Sequence, residues 1–498
     1  MTDTKEEGED DDNTNVDTLS IQQLLRLDKK QSHPELFSST SSPPPYTFVT
    51  KLDLFGCGLS RFPDGFETAL PNLSILFCAQ NNFVELPAVM GACPRLQMVA
   101  FRHNQIAHIP PDALSPQLRW LILTGNRLAT LPETMGDRCP NLQKCMLAGN
   151  RLAGPLPESL QRCRALELIR LSSNRLTAPP VVLWKYLPRL AWAAVADNPF
   201  LNHSAALAVN PTTTTTTDGG DSSSSSTTTT TSLPTLDITI SEDDPILGQG
   251  AGGVTRKVLY QGQYVALKEY GGAMTSDGLP ESERHWATVA SQLQCDAVVQ
   301  VLGQTATSGA LVMEYLDGYT ALAGPPSLQS CSRDVYDETV DRIVMTTADA
   351  HVLISKLLQT LSRLHAAGIC HGDLYGHNIL VRPHQPSQVR LTDWGAAFGY
   401  DVHDARYAPY VRWMELRALA VLVEEVQEHF LTHKNREPSP LLERFINYLR
   451  EELAAAHASV MEEKDGDDAV YNLSFETVLV WWKQQQLSDM ARQFQVDE

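Results

Sequence analysis

An asparagine that recurs at a nearly constant interval limits the fold of this chain more than any other feature. It occurs six times at steps of 22 to 24 residues: Asn81, Asn104, Asn126, Asn150, Asn174 and Asn198. Apolar residues keep a fixed register around each of them, in the pattern L-x-x-L-x-L-x-x-N-x-L. A repeat of this length cannot bury an apolar face alone, so neighbouring copies must stack around one continuous core.

The pattern extends one copy further towards the N-terminus, where Cys57 takes the place of the asparagine. Seven copies in register predict a leucine-rich-repeat solenoid over residues 46–205. Each copy supplies a short strand that directs leucines inward, and the asparagine side chain is expected to bond backbone groups where the coil bends. The strands then line the concave face of the solenoid.

The residues expected to point outwards from these strands are unusually apolar. They include Ile75, Phe77, Met98, Trp120, Ile122, Met146 and Trp192, and the series is interrupted by Lys144 and Arg170. Because large apolar surfaces usually mark interaction sites, one hypothesis is that this face binds a protein partner or substrate. The alternative is that another part of the same chain covers it.

Two segments lack the apolar residues that a folded core needs. Residues 1–17 carry eight acids against a single lysine, which predicts an acidic disordered tail over residues 1–45. Threonine, serine, glycine and aspartate fill most of residues 206–236, which predicts a flexible linker. A second folded domain is therefore expected over residues 237–495.

The overall charge and the cysteines narrow the classes of partner and compartment. A formal charge of −20 argues against nucleic-acid binding, which needs clustered lysine and arginine. Nine scattered cysteines without a C-x-x-C spacing indicate free thiols in a reducing compartment. Because the sequence holds no run of about 18 apolar residues, no membrane span is expected and a cytoplasmic protein is predicted.

The second domain opens with a glycine-rich hairpin that is followed by a lysine. Three glycines form the motif G-x-G-x-x-G: Gly248, Gly250 and Gly253. Lys268 ends the next apparent strand, in V-A-L-K. Backbone N–H groups of such a hairpin approach phosphates closely, and the lysine can reach them from the neighbouring strand. Leu247 and Ala266 flank these residues and are predicted to contact the adenine ring of ATP.

A phosphate-binding lysine needs a carboxylate to hold it and a pocket for the base beside it. Glu283, in the helical stretch after T-S-D-G-L-P, is the predicted partner of the lysine, with Glu281 as the alternative. Further on, A-L-V-M-E-Y-L predicts a strand that leads into a hinge. Met313, Glu314 and Leu316 would border the adenine there.

Two later motifs supply the carboxylates and the amide of a phosphoryl-transfer site. C-H-G-D-L-Y-G-H-N places His371, Asp373 and Asn378 in H-x-D-x-x-x-x-N, and L-T-D-W-G adds Asp393. Asp373 is predicted to orient the acceptor hydroxyl, while Asn378 and Asp393 hold Mg²⁺ on the phosphates. His371 is expected to pack against Trp394 rather than to act as a base. The order of all these motifs is far more specific than any one of them.

Together the motifs resemble those of soluble leucine-rich-repeat protein kinases of bacteria and protists, in which repeats and kinase share one chain without a membrane span. The resemblance runs from about residue 50 to about residue 430 and is most specific in L-R-W-L-I-L-T-G-N-R-L, G-A-M-T-S-D-G-L-P and H-G-D-L-Y-G-H-N-I-L. It implies an α/β leucine-rich-repeat solenoid followed by a two-lobed α+β protein-kinase-like domain. It also implies a protein kinase of the Ser/Thr type that uses ATP and Mg²⁺. We expect the repeats to recruit its protein partner.

Departures from the general protein-kinase pattern keep other functions open. Gly372 replaces the arginine before the catalytic aspartate, and Tyr375 replaces the lysine two positions after it, with His377 as the nearest replacement charge. Asp393 and Glu415 are 22 positions apart, and Glu415 stands where an aspartate usually opens the next helix. These departures favour, as alternatives, a pseudokinase scaffold or a small-molecule kinase related to aminoglycoside and choline kinases.

Overall fold

A computed structural model describes residues 21–27, 45–203, 233–250, 252–337, 342–432, 438–462 and 473–496 of the 498-residue chain. These residues form a repeat domain and a C-terminal domain of two lobes. The predicted fold class, an α/β solenoid followed by a two-lobed α+β domain, is confirmed. Most of the predicted tail and of the predicted linker lies outside the described residues.

Seven parallel strands, adjacent in chain order, build the concave side of the repeat domain. They are β1 (Lys51–Asp53), β2 (Ile75–Phe77), β3 (Met98–Ala100), β4 (Trp120–Ile122), β5 (Lys144–Met146), β6 (Leu168–Arg170) and β7 (Trp192–Ala194). The helices of this domain are α1 (Ile21–Arg26), α2 (Phe66–Ala69), α3 (Val89–Ala92), α4 (Met135–Arg138) and α5 (Val181–Tyr186). The middle residue of each strand is fully buried, as the inward leucine pattern predicts.

The recurring asparagines join each coil to the one before it. Asn81 Oδ1 accepts a hydrogen bond from the backbone N–H of Leu59 at 2.9 Å, and its Nδ2 donates to the carbonyl of Leu54 at 2.8 Å. The same two bonds recur at each later asparagine of the series. A buried amide thereby satisfies backbone groups that the bend leaves unpaired, which is why the interval is so constant.

The prediction of a disordered tail over residues 1–45 is wrong for α1. Leu24 and Leu25 are buried in the same apolar core as the first repeat. Cys57, which replaces the first asparagine, places its Sγ 3.7 Å from the carbonyl oxygen of Leu27. Because the end of a solenoid exposes its core, a short helix that supplies two leucines can close it. Residues 1–20 and 28–44 of the predicted tail lie outside the described residues.

The small lobe of the C-terminal domain is one six-stranded sheet with one helix. It consists of β8 (Thr235–Leu236), β9 (Ile246–Gly250), β10 (Gly253–Tyr260), β11 (Gln263–Tyr270), α6 (Pro280–Gln292), β12 (Val301–Thr305) and β13 (Leu311–Glu314). The strand order is β8-β12-β13-β11-β10-β9. Strand β8 pairs in parallel with β12, so the folded domain begins within the predicted linker of residues 206–236.

The large lobe is mostly helical. It consists of β14 (Thr320–Ala321), α7 (Thr347–Ala366), β15 (Ile369–Cys370), β16 (Ile379–Arg382), β17 (Gln385–Leu391), β18 (Phe398–Gly399), α8 (Ala408–Val426), α9 (Pro440–Glu462) and α10 (Phe475–Val496). Trp482 on α10 is fully buried, and its Nε1 donates to Ser355 Oγ on α7 at 2.8 Å, so the last helix belongs to this lobe. The helices that the structure describes include none that meets the length and hydropathy of a membrane span.

The repeat domain folds back onto the C-terminal domain. Trp192, 1% exposed, stacks on Tyr375 with ring centroids 4.2 Å apart, and its Nε1 donates to the carbonyl of Leu374 at 3.0 Å. Nearer the N-terminus, Trp120 Nε1 contacts Cys331 Sγ. The alternative drawn from the sequence therefore holds here: the same chain covers this part of the concave face.

The hypothesis of a partner surface is accordingly wrong for Trp192, which the C-terminal domain buries. The other predicted residues form a small apolar cluster of their own on the concave face. Met98 and Ile122 are buried in it, and its half-buried members are Ile75, Phe77, Trp120 and Met146. These half-buried members are the part of the predicted surface that solvent still reaches.

Candidate active site

The glycine-rich hairpin lies between β9 and β10. Gly248 and Gly250 are exposed, and a Cβ at either position would meet no atom within 4 Å. Gly253 differs, because its φ is +145° and a Cβ there would lie 1.9 Å from the carbonyl oxygen of Glu269. Glycine is thus required at residue 253 for the close approach of the strands, while the first two leave open backbone that a phosphate group can approach.

The lysine of β11 makes two ion pairs. Lys268 Nζ lies 2.5 Å from Glu283 Oε1 on α6 and 3.4 Å from Asp393 Oδ1. Glu281, the alternative partner, is instead 70% exposed and pairs with Arg284 on its own helix. Burial disfavours the charge of Lys268, but Asp393 and Glu283 outweigh it and raise its pKa above the usual value. Burial raises the pKa of Glu283 to about 7, and Lys268 opposes that shift.

The residues predicted to contact adenine lie on or next to strands of the small-lobe sheet. Ala266 on β11, two positions before Lys268, pairs in register with Met313 on β13. Leu247 is 46% exposed on the first strand of the hairpin, and Leu316 is half-buried after β13. The carboxylate of Glu314 is already engaged, since its Oε1 accepts from the backbone N–H of Gln300 at 3.0 Å.

The loop between β15 and β16 carries the predicted catalytic carboxylate. Asn378 Nδ2 donates to both the carbonyl oxygen and Oδ2 of Asp373, each at 2.9 Å. His371 packs against Trp394 with ring centroids 4.8 Å apart, and its Nε2 lies 3.1 Å from the carbonyl oxygen of Thr392. The histidine thus links the two loops, as expected from the sequence.

Glu415, at the position usually held by an aspartate, anchors the same loop from below. Its Oε1 accepts from the backbone N–H of Gly372 at 2.8 Å, and its Oε2 accepts from that of His371 at 3.3 Å. His365 Nε2 lies 2.6 Å from Oε2 as well. Burial acts to raise the pKa of Glu415, but His365 and His371 outweigh it and hold the pKa below the usual value.

Asp393 is held in an unusual backbone conformation with its carboxylate at the cleft. Its φ is +61°, and its Oδ1 accepts from the backbone N–H of Gly395 at 3.3 Å. Aspartate tolerates this left-handed region better than most residues, although holding it still needs support from the surrounding structure. Burial acts to raise the pKa of Asp393, but Lys268 and the Gly395 N–H outweigh it and lower the pKa.

The oxygen donors fit a hard cation that is shared with phosphates. Asp393 supplies a carboxylate and Asn378 an amide oxygen, and Mg²⁺ is commonly held by one or two protein oxygens together with substrate phosphates. Among the residues that the structure describes, there is no cluster of three or more His, Cys, Asp or Glu suited to a metal held by protein alone. The donor set therefore fits magnesium bound together with a nucleotide.

An arginine from the repeat domain enters this site. Arg170 on β6 bonds Asp277 through Nε at 2.5 Å, the carbonyl oxygen of Gly372 through Nη1 at 3.3 Å, and Asp373 Oδ1 through Nη2. Its side chain is 3% exposed. Burial acts to lower the pKa of Arg170, but the two aspartates raise it above the usual value. The sequence reasoning did not assign Arg170 to the site, and the one sequence feature that pointed to it was that Arg170 interrupts the apolar residues of the concave face.

Comparisons with known proteins agree with both domains. Residues 241–410 match the family model described as a protein kinase domain, and residues 116–176 match the model described as a leucine rich repeat. The kinase match covers both the glycine-rich hairpin and the loop that carries Asp373.

Three curated proteins are similar to parts of the chain. The "Cell division control protein 2 homolog 3" of Trypanosoma brucei brucei is 27% identical over 184 residues, which are 36% of this chain and 54% of that protein. "Serine/threonine-protein kinase mos" of Gallus gallus is 27% identical over 161 residues, 30% of this chain and 45% of that protein.

The third is "Leucine-rich repeat-containing G-protein coupled receptor 5" of Rattus norvegicus, 33% identical over 98 residues, 19% of this chain and 11% of the receptor. The chain spans about half the length of the two kinases and about a tenth of the receptor.

Proposed function

Since this one chain carries a leucine-rich repeat region and a protein kinase domain, we propose that it transfers the γ-phosphate of Mg-ATP to a serine or threonine hydroxyl of a protein. The observation that carries the proposal is the meeting of residues from four segments in one cleft. Lys268 lies within ion-pair distance of Glu283 and Asp393, and Asp373 is bonded to Asn378.

The proposed roles follow from charge and position. Lys268, held by Glu283, binds the phosphates together with the backbone N–H groups of the glycine-rich hairpin. Asn378 and Asp393 would hold Mg²⁺, which neutralises phosphate charge when it is bound. Asp373 orients the acceptor hydroxyl and takes its proton. Catalysis of this kind is mostly alignment and charge stabilisation, which is why the side chains need fixed partners.

Two carboxylates on α6 give a matched test of this site. Glu283→Gln removes the partner of Lys268, whereas Glu281→Gln removes an exposed charge two positions earlier on the same helix. We expect ATP turnover to fall at least about 10-fold in Glu283→Gln, to be lost in Asp373→Asn, and to stay within about two-fold in Glu281→Gln. Equal turnover in wild type and Asp373→Asn would refute the enzymatic function and leave a scaffold.

A small-molecule hydroxyl is the second candidate acceptor, and one observation favours it. The repeat domain contacts the loop that carries Asp373, through Arg170, and the side chain of Asp373 is 15% exposed. Labelled γ-phosphate offered with cell protein and, separately, with a metabolite extract distinguishes the two acceptors. Label in protein alone supports the protein kinase, and label in the metabolite fraction alone refutes it.

Recruitment of a protein partner by the repeats belongs to the same proposal. Ile75 and Phe77, near the N-terminal end of the concave face, are two of the half-buried residues of the predicted surface that solvent still reaches. A Phe77→Glu variant should lose at least about 10-fold in affinity for a captured substrate. Unchanged affinity would show that the partner binds another surface.

A further inference from the structure

The catalytic loop lacks a cation that the general kinase pattern places two residues after the catalytic aspartate. Tyr375 stands there, and its ring is stacked against Trp192 of the repeat domain. A positive charge near the reacting oxygens is worth a large factor in phosphoryl transfer, because negative charge is spread over the transferred group. The site must therefore either work without this charge or obtain it from elsewhere.

His377, the nearest cation in the sequence, is already paired with Asp334. Its Nδ1 lies 2.6 Å from Asp334 Oδ1, and its backbone N–H donates to Asp334 Oδ2 at 3.1 Å. The Asp334 side chain is fully buried, so its negative charge is compensated by this imidazole and not by solvent. His377 is thus a structural partner of Asp334.

Arg170 does reach the reacting carboxylate. Its guanidinium bonds Asp373 and the neighbouring Gly372 carbonyl in the large lobe, and it bonds Asp277 in the loop between β11 and α6 of the small lobe. Lys144, one strand earlier, is buried near the same two aspartates. Burial lowers the pKa of Lys144, and Asp373 and Asp277 act in the opposite direction. One side chain of the repeat domain therefore ties both lobes together at the catalytic aspartate.

We propose that Arg170 is a positioning residue for phosphoryl transfer: the repeat domain supplies, across the domain boundary, the cation that the catalytic loop has lost at Tyr375. It fixes the carboxylate of Asp373 through Oδ1 and leaves a positive charge beside the phosphate that is transferred. This inference rests on the proposed function. It makes the docked repeat domain part of the active site rather than a cover over it.

The test is the ATP hydrolysis of the full chain, in which water replaces the unknown acceptor. We expect Arg170→Ala to lower kcat about 100-fold with less than a three-fold change in KM for ATP, and Arg170→Lys to recover part of the loss. Guanidinium ion added to Arg170→Ala should also raise kcat. Arg175→Ala, which alters an exposed arginine of the same repeat, is the matched control and should behave as wild type.

The outcomes separate the inference from the proposed function. A wild-type chain that hydrolyses no ATP contradicts the proposed function itself. An active wild type with equal or faster turnover in Arg170→Ala overturns the inference, and faster turnover would identify the contact as inhibitory. If the thermal midpoint shows that Arg170→Ala does not fold, the kcat values of Arg170→Lys and Arg170→Gln decide. Wild-type kcat in both of these variants would overturn the inference.

A separate cavity carries a second inference. A space of about 750 Å³ lies between the repeat domain and helices α8 and α9. Four arginines line it: Arg189, Arg333, Arg417 and Arg450. Of the two glutamates in its lining, Glu167 pairs with Arg333 and Glu424 pairs with Arg450.

Arg417 is the unusual member of this group. It is 7% exposed, its Nη1 donates to the carbonyl oxygen of Leu190 at 3.1 Å, and no carboxylate among the described residues pairs with it. A buried cation without a counter-charge is costly, and an anion bound in the cavity would offset that cost. The structure assigns to this cavity a site for a tetrahedral dianion such as phosphate, with Arg417 as its buried ligand.

Calorimetric titration with inorganic phosphate tests the site. In a Lys268→Met background, which removes the nucleotide-site cation, we expect saturable binding that weakens at least about 10-fold in Arg417→Met and stays unchanged in Arg406→Met, an exposed arginine of another loop. The assignment would be refuted if the parent did not bind phosphate. It would also be refuted if Arg417→Met and Arg417→Gln bound phosphate with the affinity of the parent.

Discussion

Trp192 gives the sharpest test of how the two domains are held together. Its indole is 1% exposed, stacks on Tyr375 at 4.2 Å and donates to the carbonyl of Leu374. Removing a buried tryptophan side chain costs about 3–5 kcal/mol, and the orphaned carbonyl adds about 1 kcal/mol or more. We therefore expect Trp192→Ala to lower the free energy of unfolding by about 4–6 kcal/mol.

Urea unfolding of the full chain, followed by circular dichroism, measures this loss. A double-mutant cycle with Tyr375→Ala should give a coupling energy of about 1 kcal/mol, because the stacked rings are lost only once. Phe55→Ala, which alters a 46% exposed ring of the first repeat, is the control and should cost below about 0.5 kcal/mol. A cost below about 1 kcal/mol for Trp192→Ala, with no coupling, would refute the docking of the repeats on the catalytic loop.

Four further predictions concern three buried polar groups. Because the pKa of Glu283 is raised to about 7 and its pairing with Lys268 needs the ionised form, kcat/KM for ATP should rise through pH 7, and a flat profile would contradict this. Stability has the opposite pH dependence. Between pH 4.5 and about 7, Glu283 holds a proton in the folded chain that it has lost in the unfolded chain. The free energy of unfolding should therefore fall as the pH rises over that range in wild type but not in Glu283→Gln. Glu415→Gln should lower kcat about 10-fold or more with little change in KM, because the charge that holds the Gly372 N–H is lost. An unchanged kcat would show that Glu415 does not anchor the loop. Asn150→Leu should lower the free energy of unfolding by about 2–3 kcal/mol, against below about 0.5 for the exposed Asn141→Ala, as measured by thermal unfolding.

The predictable parts of the fold are those that depend on local spacing. The asparagine interval places six of the seven strands of the solenoid, because each Asn side chain must reach the same two backbone groups of the preceding coil. The motif order likewise places Lys268 and Asp393 in one cleft, since they end strands and loops whose order along the chain fixes their neighbours. Helix α1 was missed because its apolar run, I-Q-Q-L-L-R-L, follows the acidic residues 1–17 and is too short to show a helical period.

The contact between the domains was not predictable in this way. Arg170 and Asp373 are 203 positions apart, and no local pattern states that β6 faces the catalytic loop. The apolar concave face is compatible with any cover, whether a partner or the chain itself. The interruption of that face by Arg170 was visible, but its meaning depends on which carboxylate it meets after the domains have docked.

The docked repeat domain gives both departures of the catalytic loop a common physical reason. Gly372 has a φ of +73°, and a Cβ there would lie 2.5 Å from the carbonyl oxygen of Ala193 on β7 and 2.7 Å from that of Ala396. The arginine of the general pattern therefore has no room while β7 is in place. Tyr375 supplies the flat ring that Trp192 covers, which a lysine would not. The repeat domain thus occupies the space of both missing side chains and places Arg170 against Asp373, so the two domains meet at the predicted catalytic loop.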